Sequence, residues 1–271
     1  MSRAAVLGSP IDHSRSPDLH LAAYRALGLT DWSYSRIECT AEQLPEVVAT
    51  ASPDTVGFSV TMPAKRAALE VADERTERAA LVGSANTLVR TAVGWRADCT
   101  DIDGMSGALD QLGIGRLDDG SAVLLGAGGT ALPTVYALHD RGVAEVAVVA
   151  RDLNRAAPVV ELATRLGVHV TVVGWESDDE LAARCRTSHV MVSTVPADAA
   201  ATLLPAAAEA TRVVDVIYDP WPTPLAEAVT AKRGQVVGGL VMLLNQAYSQ
   251  VEQFTGRPAP RAAMAQALGL S

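Results

Sequence analysis

The stretch from Ser121 to Arg151 limits the possible folds of this chain more than any other part of the sequence. It contains a short apolar run, a glycine-rich turn, a helical pattern and a second apolar run, Glu145 to Val149. A continuous apolar run that stops at glycines is typical of a buried parallel strand that leads into a helix. The stretch therefore predicts a strand-helix-strand unit of an α/β domain.

The glycine-rich turn has the spacing of a dinucleotide-binding loop. Gly126 allows a tight turn, Gly128 lets backbone N–H groups approach a pyrophosphate, and the small Ala131 lets the helix lie close to the strand. The free N–H groups at the start of that helix then face the anion. The predicted cofactor-binding residues of the loop are Gly126, Ala127, Gly128, Gly129, Thr130 and Ala131. An ordinary tight turn between a strand and a helix is the alternative.

The residues after the second apolar run distinguish between the two nicotinamide cofactors. An acidic side chain at this position accepts a hydrogen bond from the ribose of NAD, whereas the 2′-phosphate of NADP requires arginine. The sequence has Arg151, and Arg155 follows one helical turn later. This pair favours NADP, although Asp152 would repel the phosphate if it pointed inward. Solvated charges at the start of a helix are the alternative interpretation.

Composition and charge exclude several classes of protein. The 271 residues are 49% apolar and 20% charged, which is typical of a soluble globular chain with one large or two medium domains. The net charge of −9 argues against nucleic acid or an anionic membrane as partner, and leaves a small molecule. Three cysteines without C-x-x-C spacing indicate neither a disulfide framework nor a metal site. The sequence starts without a leader pattern, and a cytoplasmic protein is therefore expected.

Two α/β domains are predicted from the order of the patterns. Residues 1–103 alternate between strand and helix patterns, including an expected helix from Glu74 to Leu81. Residues 104–237 contain the glycine loop and further strands, which predicts a Rossmann-type dinucleotide-binding domain. Residues 238–271 are helical without a strand of their own, so we expect them to pack back on the first domain, which would bind the substrate and carry the catalytic residues.

Polar side chains cluster in the turns that follow the predicted strands of the first domain. Ser14 and Ser16 are two hydroxyls close to a helix N-terminus, where they can hold a carboxylate. Simple capping is the alternative, because Ser16 precedes a proline. Lys65 lies on the first turn of another predicted helix, where a lysine is usually a solvated surface group. Asp101 precedes a third helix, and capping of that helix is again the alternative.

Seven short motifs in the same order make the sequence similar to the shikimate dehydrogenase family over nearly its whole length. The motifs are P-I-x-H-S-x-S-P at Pro10 to Pro17, V-T-x-P-x-K at Val60 to Lys65, G-x-x-N-T at Gly83 to Thr87, T-D at Thr100 to Asp101, G-A-G-G at Gly126 to Gly129, V-I-Y at Val216 to Tyr218, and G-L-V-M-L at Gly239 to Leu243 before Gln246. One such motif can arise by chance, but the ordered set is specific.

The resemblance implies reversible NADP-dependent reduction of 3-dehydroshikimate to shikimate in aromatic amino-acid biosynthesis. It assigns Lys65 and Asp101 as the catalytic pair and places Gly239 and Met242 against the nicotinamide. The substrate-binding residues that it implies are Ser14, Ser16, Thr61, Lys65, Asn86, Asp101, Tyr218 and Gln246. A cationic lysine can stabilise and protonate the alkoxide that develops when hydride reaches the ketone.

The sequence departs from the family pattern at three places. The family usually has asparagine where this chain has Ser59 and Cys99, and an Asn-Arg-Thr run where it has Ala150-Arg151-Asp152. Serine and cysteine form fewer or weaker hydrogen bonds than an amide. Three functions therefore stay open: an NADP-dependent shikimate dehydrogenase, a related dehydrogenase that acts on quinate or aminoshikimate or uses NAD, and a non-catalytic ligand-binding relative. The sequence also leaves open whether the protein is a monomer or a homodimer.

Overall fold

The chain folds into two compact units. The computed structural model describes residues 1–270, apart from the side chain of Leu153. One unit contains residues 1–101 and 243–270, and the other contains residues 102–242. Each unit has a six-stranded sheet with helices between its strands, and the predicted α/β fold class is confirmed. Within residues 1–270, no helix combines the length and the apolar character that crossing a membrane requires.

The sheet of the first unit is mixed. Its strand order is β2-β1-β3-β5-β6-β4, with parallel pairing of β1 to both neighbours and antiparallel pairing of β5 to both of its neighbours. The strands are β1 Ser2–Gly8, β2 Trp32–Glu38, β3 Thr55–Val60, β4 Glu74–Arg75, β5 Thr87–Thr91 and β6 Gly94–Asp98. The helices between them are α1 Ser16–Ala26, α2 Leu44–Ala49, α3 Lys65–Val71 and α4 Glu77–Val82. Because β1 and β3 are parallel neighbours, the polar turns that follow them lie at the same edge of the sheet.

The expected helix from Glu74 to Leu81 is wrong in its first part. Residues Glu74–Arg75 form β4, which pairs with β6 as an edge strand. The helix α4 begins only after Thr76, whose hydroxyl accepts a hydrogen bond from the N–H of Ala79. A threonine N-cap of this kind marks the true helix start, and pairing with β6 outweighs the local helical pattern before it.

The second unit has a fully parallel sheet with the strand order β12-β11-β10-β7-β8-β9. This is the doubly wound order of dinucleotide-binding domains, with the central reversal between β7 and β10. The strands are β7 Gly120–Leu125, β8 Val143–Val149, β9 His169–Val173, β10 Val190–Ser193, β11 Arg212–Asp215 and β12 Gln235–Gly238. The helices are α5 Asp101–Gln111, α6 Ala131–Asp140, α7 Leu153–Leu166, α8 Asp179–Thr187, α9 Ala197–Ala201 and α10 Pro224–Ala231, with a 3-10 helix at Ala206–Glu209.

Two C-terminal helices complete the chain, α11 Gly239–Thr255 and α12 Arg261–Ala267. Helix α12 packs against α1. The ring of Phe254 on α11 lies above Gly57 of β3, where an added Cβ would be 2.2 Å from the ring. The same ring stacks at 5.6 Å on His20 of α1. The missing side chain at Gly57 thus allows α11 to lie close to the sheet of the first unit, as predicted for this helical segment.

Candidate active site

Lys65 and Asp101 form an ion pair in the first unit. The Nζ atom of Lys65 donates to Oδ2 of Asp101 at 2.6 Å, and the two side chains are 17% and 6% exposed. Lys65 is the first residue of α3 and Asp101 is the first residue of α5, so each side chain starts from a fixed helix end. An ammonium has three donors. The pair therefore combines a buried carboxylate with an ammonium that keeps donors available for a ligand.

Asn86 connects this ion pair to α11. Its Nδ2 atom donates to Oδ1 of Asp101 at 3.1 Å and also to Oε1 of Gln246. Its Oδ1 atom accepts from the backbone N–H of Thr100 at 2.7 Å. Asn86 is 1% exposed. These bonds fix the orientation of its amide, so that Lys65, Asn86, Asp101 and Gln246 form one hydrogen-bonded cluster, here called the Lys65 cluster.

The two serines after β1 lie in a turn that a guanidinium holds in place. Arg36 donates to the carbonyl oxygen of Ser14 at 3.0 Å from Nε and at 2.5 Å from a terminal nitrogen. The N–H of Ser16 donates to Oγ of Ser14 at 3.3 Å. Ser16 is not the N-cap of α1, because the helix begins at Ser16 with Arg15 as N-cap and has no side-chain cap hydrogen bond. Because Ser14 acts as an acceptor at this helix start, its own O–H can donate to a ligand.

Thr61 lies beside the same turn, at the end of β3. Its N–H donates to the carbonyl of Leu7 at 2.8 Å, and the N–H of Ser9 donates to the carbonyl of Met62 at 3.1 Å. A Cβ at Gly8 would be 2.3 Å from the methyl group of Thr61, so this contact needs glycine. The turns after β1 and β3 are therefore joined directly by backbone bonds.

Ser59 and Gln250 are buried polar residues that the sequence did not predict as site residues. The hydroxyl of Ser59 donates to Oε1 of Gln250 at 2.8 Å and accepts from Tyr34 at 2.7 Å. Burial raises the pKa of Tyr34, and hydrogen bonds with Ser59 and Ser16 act in the opposite direction. Sequence reasoning missed Gln250 and Tyr34. The available signal was the position of Gln250 four residues after Gln246, which places both amides on one face of α11.

Cys99, the other departure from the family pattern, is fully buried and does not join the Lys65 cluster. Burial, followed by the negative charge of Asp101, raises the pKa of its thiol to about 12. Its backbone N–H donates to Oδ1 of Asp98 at 2.8 Å. The residue is therefore a neutral part of the core.

The glycine loop of the second unit follows β7 as predicted. Gly126 has φ +97°, and a Cβ there would be 2.5 Å from a methyl group of Val195. By contrast, a Cβ at Gly128 or Gly129 would have no neighbour within 4 Å, and both residues are exposed. Ala131, the first residue of α6, is fully buried. One glycine thus shapes the turn, and two leave open space in front of a helix N-terminus, which fits the pyrophosphate of a dinucleotide.

Arg151 and Arg155 lie at the end of β8 and at the start of α7, and both are exposed. The guanidinium of Arg151 lies 5.5 Å from the ring centroid of Trp175. Asp152 is the N-cap of α7, with its carboxylate accepting from the N–H of Asn154 at 2.9 Å. That carboxylate is therefore engaged at the helix end, where it has a structural role.

Tyr218, Gly239 and Met242 belong to the second unit, beyond β11 and at the start of α11. Tyr218 is half-buried, and Met242 is buried. A Cβ at Gly239 would be 2.0 Å from the carbonyl oxygen of Val216, and the N–H of Gly239 donates to the carbonyl of Ile217 at 3.0 Å. The loop that carries Tyr218 is thus held against the first turn of α11.

Models of two protein domains match the sequence. The shikimate dehydrogenase substrate binding domain matches residues 6–88, and the shikimate 5′-dehydrogenase C-terminal domain matches residues 239–268. These matches include the turns that carry Ser14, Ser16, Thr61, Lys65 and Asn86, as well as Gln246.

Complete proteins of the same kind are similar to nearly the whole chain. A protein from Microcystis aeruginosa named shikimate dehydrogenase (NADP(+)) is 33% identical over 97% of this chain and 94% of its own length. The crystal structure of Mycobacterium tuberculosis shikimate dehydrogenase is 56% identical, with a TM-score of 0.93 over 99% of both chains. A Thermus thermophilus shikimate 5-dehydrogenase in complex with NADP(H) and shikimate is 28% identical, with a TM-score of 0.81 over 98% of both chains.

Proposed function

Because this chain belongs to the shikimate dehydrogenase family, we infer that it catalyses the reversible reduction of 3-dehydroshikimate to shikimate with NADPH. The observation that carries this inference is the 2.6 Å contact between the Lys65 ammonium and the buried Asp101 carboxylate. A lysine held in this way can act on a carbonyl oxygen, whereas a solvated surface lysine cannot be positioned for it.

The residues of the second unit fit a bound NADP. The loop from Gly126 to Ala131 would receive the pyrophosphate, Arg151 and Arg155 would bind the 2′-phosphate, and Gly239 and Met242 would contact the nicotinamide. The engagement of Asp152 at the start of α7 supports NADP over NAD, because this carboxylate does not need to face the ribose. When it is bound, NADPH supplies the hydride that reduces the ketone carbon.

Lys65 would act at the oxygen of that ketone. As hydride reaches the carbon, negative charge develops on the oxygen, and the cationic Nζ stabilises this charge and transfers a proton to it. In the oxidative direction the neutral amine takes the proton from the hydroxyl. Asp101 orients the ammonium through its Oδ2 atom, while Asn86 holds the other oxygen.

The remaining polar residues would hold the substrate ring and its carboxylate. The hydroxyls of Ser14 and Ser16 would donate to the carboxylate, since neither serine is the N-cap of α1. Thr61, Asn86 and Gln246 would bind ring hydroxyls, with Tyr218 nearby. We propose accordingly that the unit with residues 1–101 and 243–270 forms the substrate-binding and catalytic domain, and that the unit with residues 102–242 forms the NADP-binding domain, whereas the sequence placed these boundaries at residues 103 and 238.

The cellular setting is a further part of the proposal. Cys39, Cys99 and Cys185 are all free thiols and all buried. Free thiols suit a reducing compartment, which supports a cytoplasmic enzyme. We expect a monomer or a homodimer in solution.

The test is a matrix of initial rates with shikimate and quinate, each against NADP and NAD, together with NADPH oxidation by 3-dehydroshikimate. We expect the highest kcat/KM for shikimate with NADP. A higher kcat/KM for quinate with NAD would reject this assignment in favour of a quinate dehydrogenase. Purified folded protein without turnover on any pair would indicate a ligand-binding relative.

A further inference from the structure

Gln250 has a buried amide whose nitrogen and oxygen both form hydrogen bonds with residues of the first unit. It lies on α11 and is 1% exposed. Its Nε2 atom donates to the backbone carbonyl of Asn86 at 3.2 Å and to Oγ1 of Thr87 at 3.1 Å. Its Oε1 atom accepts from Ser59 at 2.8 Å and lies 3.3 Å from Nε2 of His20. One side chain thus ties β3, the Asn86 turn and α1 together.

The hydrogen bonds of Gln250 connect it to the Lys65 cluster through Thr87. The hydroxyl of Thr87 lies 3.3 Å from Oδ1 of Asn86, to which it donates, and 3.0 Å from the hydroxyl of Thr100. The amide of Asn86 in turn donates to Asp101, which holds Lys65. Gln250 therefore fixes both the backbone and, through Thr87, the side chain of Asn86.

The same amide is also connected to β2. Ser59 donates to Gln250 and accepts from Tyr34. A continuous set of buried hydrogen bonds thus runs from Tyr34 to Lys65, with Gln250 at its centre. In a low-dielectric interior, a set of this kind has few alternative arrangements, because an unpaired polar group is costly.

We propose that Gln250 is a positioning residue for the reaction. It sets the orientation of the Asn86 amide and thereby the place of the Asp101 carboxylate that holds Lys65. This role rests on the proposed function of Lys65 as proton donor. A displacement of a catalytic group by a fraction of an ångström reduces turnover without any loss of direct substrate contacts.

Gln253 provides a matched comparison on the same helix. Its Nε2 atom donates to Oδ2 of Asp98 at 2.8 Å, and Asp98 is paired with Arg78 rather than with Lys65. Replacing either glutamine by methionine keeps the side-chain length and removes amide hydrogen bonds, which are buried at Gln250 and partly buried at Gln253. A general loss of stability therefore affects both variants, whereas a positioning effect is confined to Gln250→Met.

The turnover experiment compares the wild type with Gln250→Met, Gln253→Met and the milder Ser59→Ala, at a temperature well below the unfolding transition of each. We expect kcat to fall about tenfold in Gln250→Met and less in Ser59→Ala, with a smaller change in KM. Gln253→Met should keep kcat within about twofold of the wild type while losing thermal stability. If Gln250→Met does not fold, the kcat of Ser59→Ala tests the positioning role instead.

A second measurement reports on Lys65 without turnover. Lys65 and Lys232 are the two lysines of the sequence, so ¹⁵N-lysine labelling gives two side-chain ammonium signals in an NMR spectrum. We expect the Lys65 signal to shift and broaden in Gln250→Met and to a lesser extent in Ser59→Ala, because its bond to Asp101 loosens. The signal should stay unchanged in Gln253→Met, and Lys232 serves as the internal reference in all three.

Two results would overturn the role of Gln250. The first is wild-type kcat together with an unchanged Lys65 signal in Gln250→Met and Ser59→Ala. The second is an equal loss of kcat in Gln250→Met and Gln253→Met, which would indicate a structural effect only. A wild-type protein without turnover would instead reject the proposed function, and the Lys65 signal would still decide whether Gln250 positions the ion pair.

Discussion

The Lys65 cluster and the glycine loop are built in opposite ways. The cluster consists of side chains from distant parts of the sequence, joined by hydrogen bonds that span up to 160 residues, with Asn86 and Asp101 buried. The loop consists of six consecutive residues, and its open part is exposed backbone at Gly128 and Gly129. The first site therefore depends on tertiary packing for its geometry, whereas the second depends mainly on local conformation.

This difference determines what a substitution does in each place. In the Lys65 cluster, each side chain fixes a neighbour, so a change reaches the reacting atoms through other residues. In the glycine loop, an added side chain acts mainly by occupying space that the ligand needs. Catalysis and cofactor binding should therefore respond to separate sets of variants.

The largest effect is expected for Lys65→Ala. Turnover should fall by a factor on the order of a hundred or more with a much smaller change in substrate affinity, because a proton donor acts mainly in the transition state. Steady-state kinetics with shikimate and NADP measure both quantities. Lys232→Ala, which removes the other lysine, should leave them unchanged. An unaltered kcat in Lys65→Ala would assign the proton transfer to another group. It would also contradict a catalytic role for the Lys65 cluster.

The cofactor preference should depend on a side chain rather than on the loop. Arg151→Ala should lower kcat/KM for NADP by about thirtyfold and leave the value for NAD nearly constant, because a charged hydrogen bond to the 2′-phosphate is lost. Arg184→Ala is the control, since that arginine pairs with Glu180 on α8. Equal losses with both cofactors would mean that Arg151 stabilises the fold or the pyrophosphate site instead.

The burial of His20 beside Gln250 should also make stability depend on pH. Burial lowers the pKa of His20 from 6.5 to about 3, although Gln250 acts in the opposite direction. The unfolded chain then binds a proton below pH 6.5 that the folded chain does not bind until about pH 3. Stability is therefore lost as pH falls through this window, on the order of 2 kcal/mol between about pH 8 and about pH 5.

Urea unfolding of the wild type and of His20→Phe at the two pH values measures this loss of stability. The variant keeps a ring against Tyr34, which stacks on His20 at 4.1 Å, and should lose the pH dependence. The two tyrosines that contact the His20 ring, Tyr24 and Tyr34, have pKa values raised by burial and stay neutral. Burial raises the pKa of Asp98, but Arg78 outweighs it and sets the value at about 2, below this range. Identical pH dependence in the two proteins would contradict a neutral buried His20.

The smallest effect is expected in the glycine loop. Gly128→Ala should weaken NADP binding about tenfold, because the new methyl group stands where the pyrophosphate approaches the backbone. Thermal stability should not change, since a Cβ there has no neighbour within 4 Å. Gly115→Ala, which is equally open in the same unit, should affect neither quantity. Calorimetric titration with NADP gives the affinity, and equal affinity in all three proteins would place the cofactor elsewhere.

The two sites were also predictable from the sequence to different extents. The glycine turn between β7 and α6 followed from the glycine spacing and the strand and helix patterns around it, because its conformation is local to Gly126 and its neighbours. Spacing left Lys65 and Asp101 indistinguishable from a surface lysine and a helix cap, and only the family resemblance paired them. Nothing local marked Tyr34, and only the spacing of four residues from Gln246 marked Gln250, because the partners of both side chains are distant in sequence and are brought together by packing.

One predicted helix start was wrong, and one capping alternative did not occur. Capping by Ser16 was left open, and α1 begins at Ser16 with Arg15 as its N-cap and without a side-chain cap hydrogen bond. The predicted helix from Glu74 began too early because β4 pairs with β6, which local propensity does not reveal. Strand pairing thus outweighed the local helical pattern before α4.

The most direct test of the central claim is a crystal structure of the protein with shikimate and NADP⁺ bound. We predict that Nζ of Lys65 lies within about 3.2 Å of the C3 oxygen of shikimate while it remains bonded to Asp101. A Lys65 side chain that points into solvent, with another proton donor beside that oxygen, would contradict the claim.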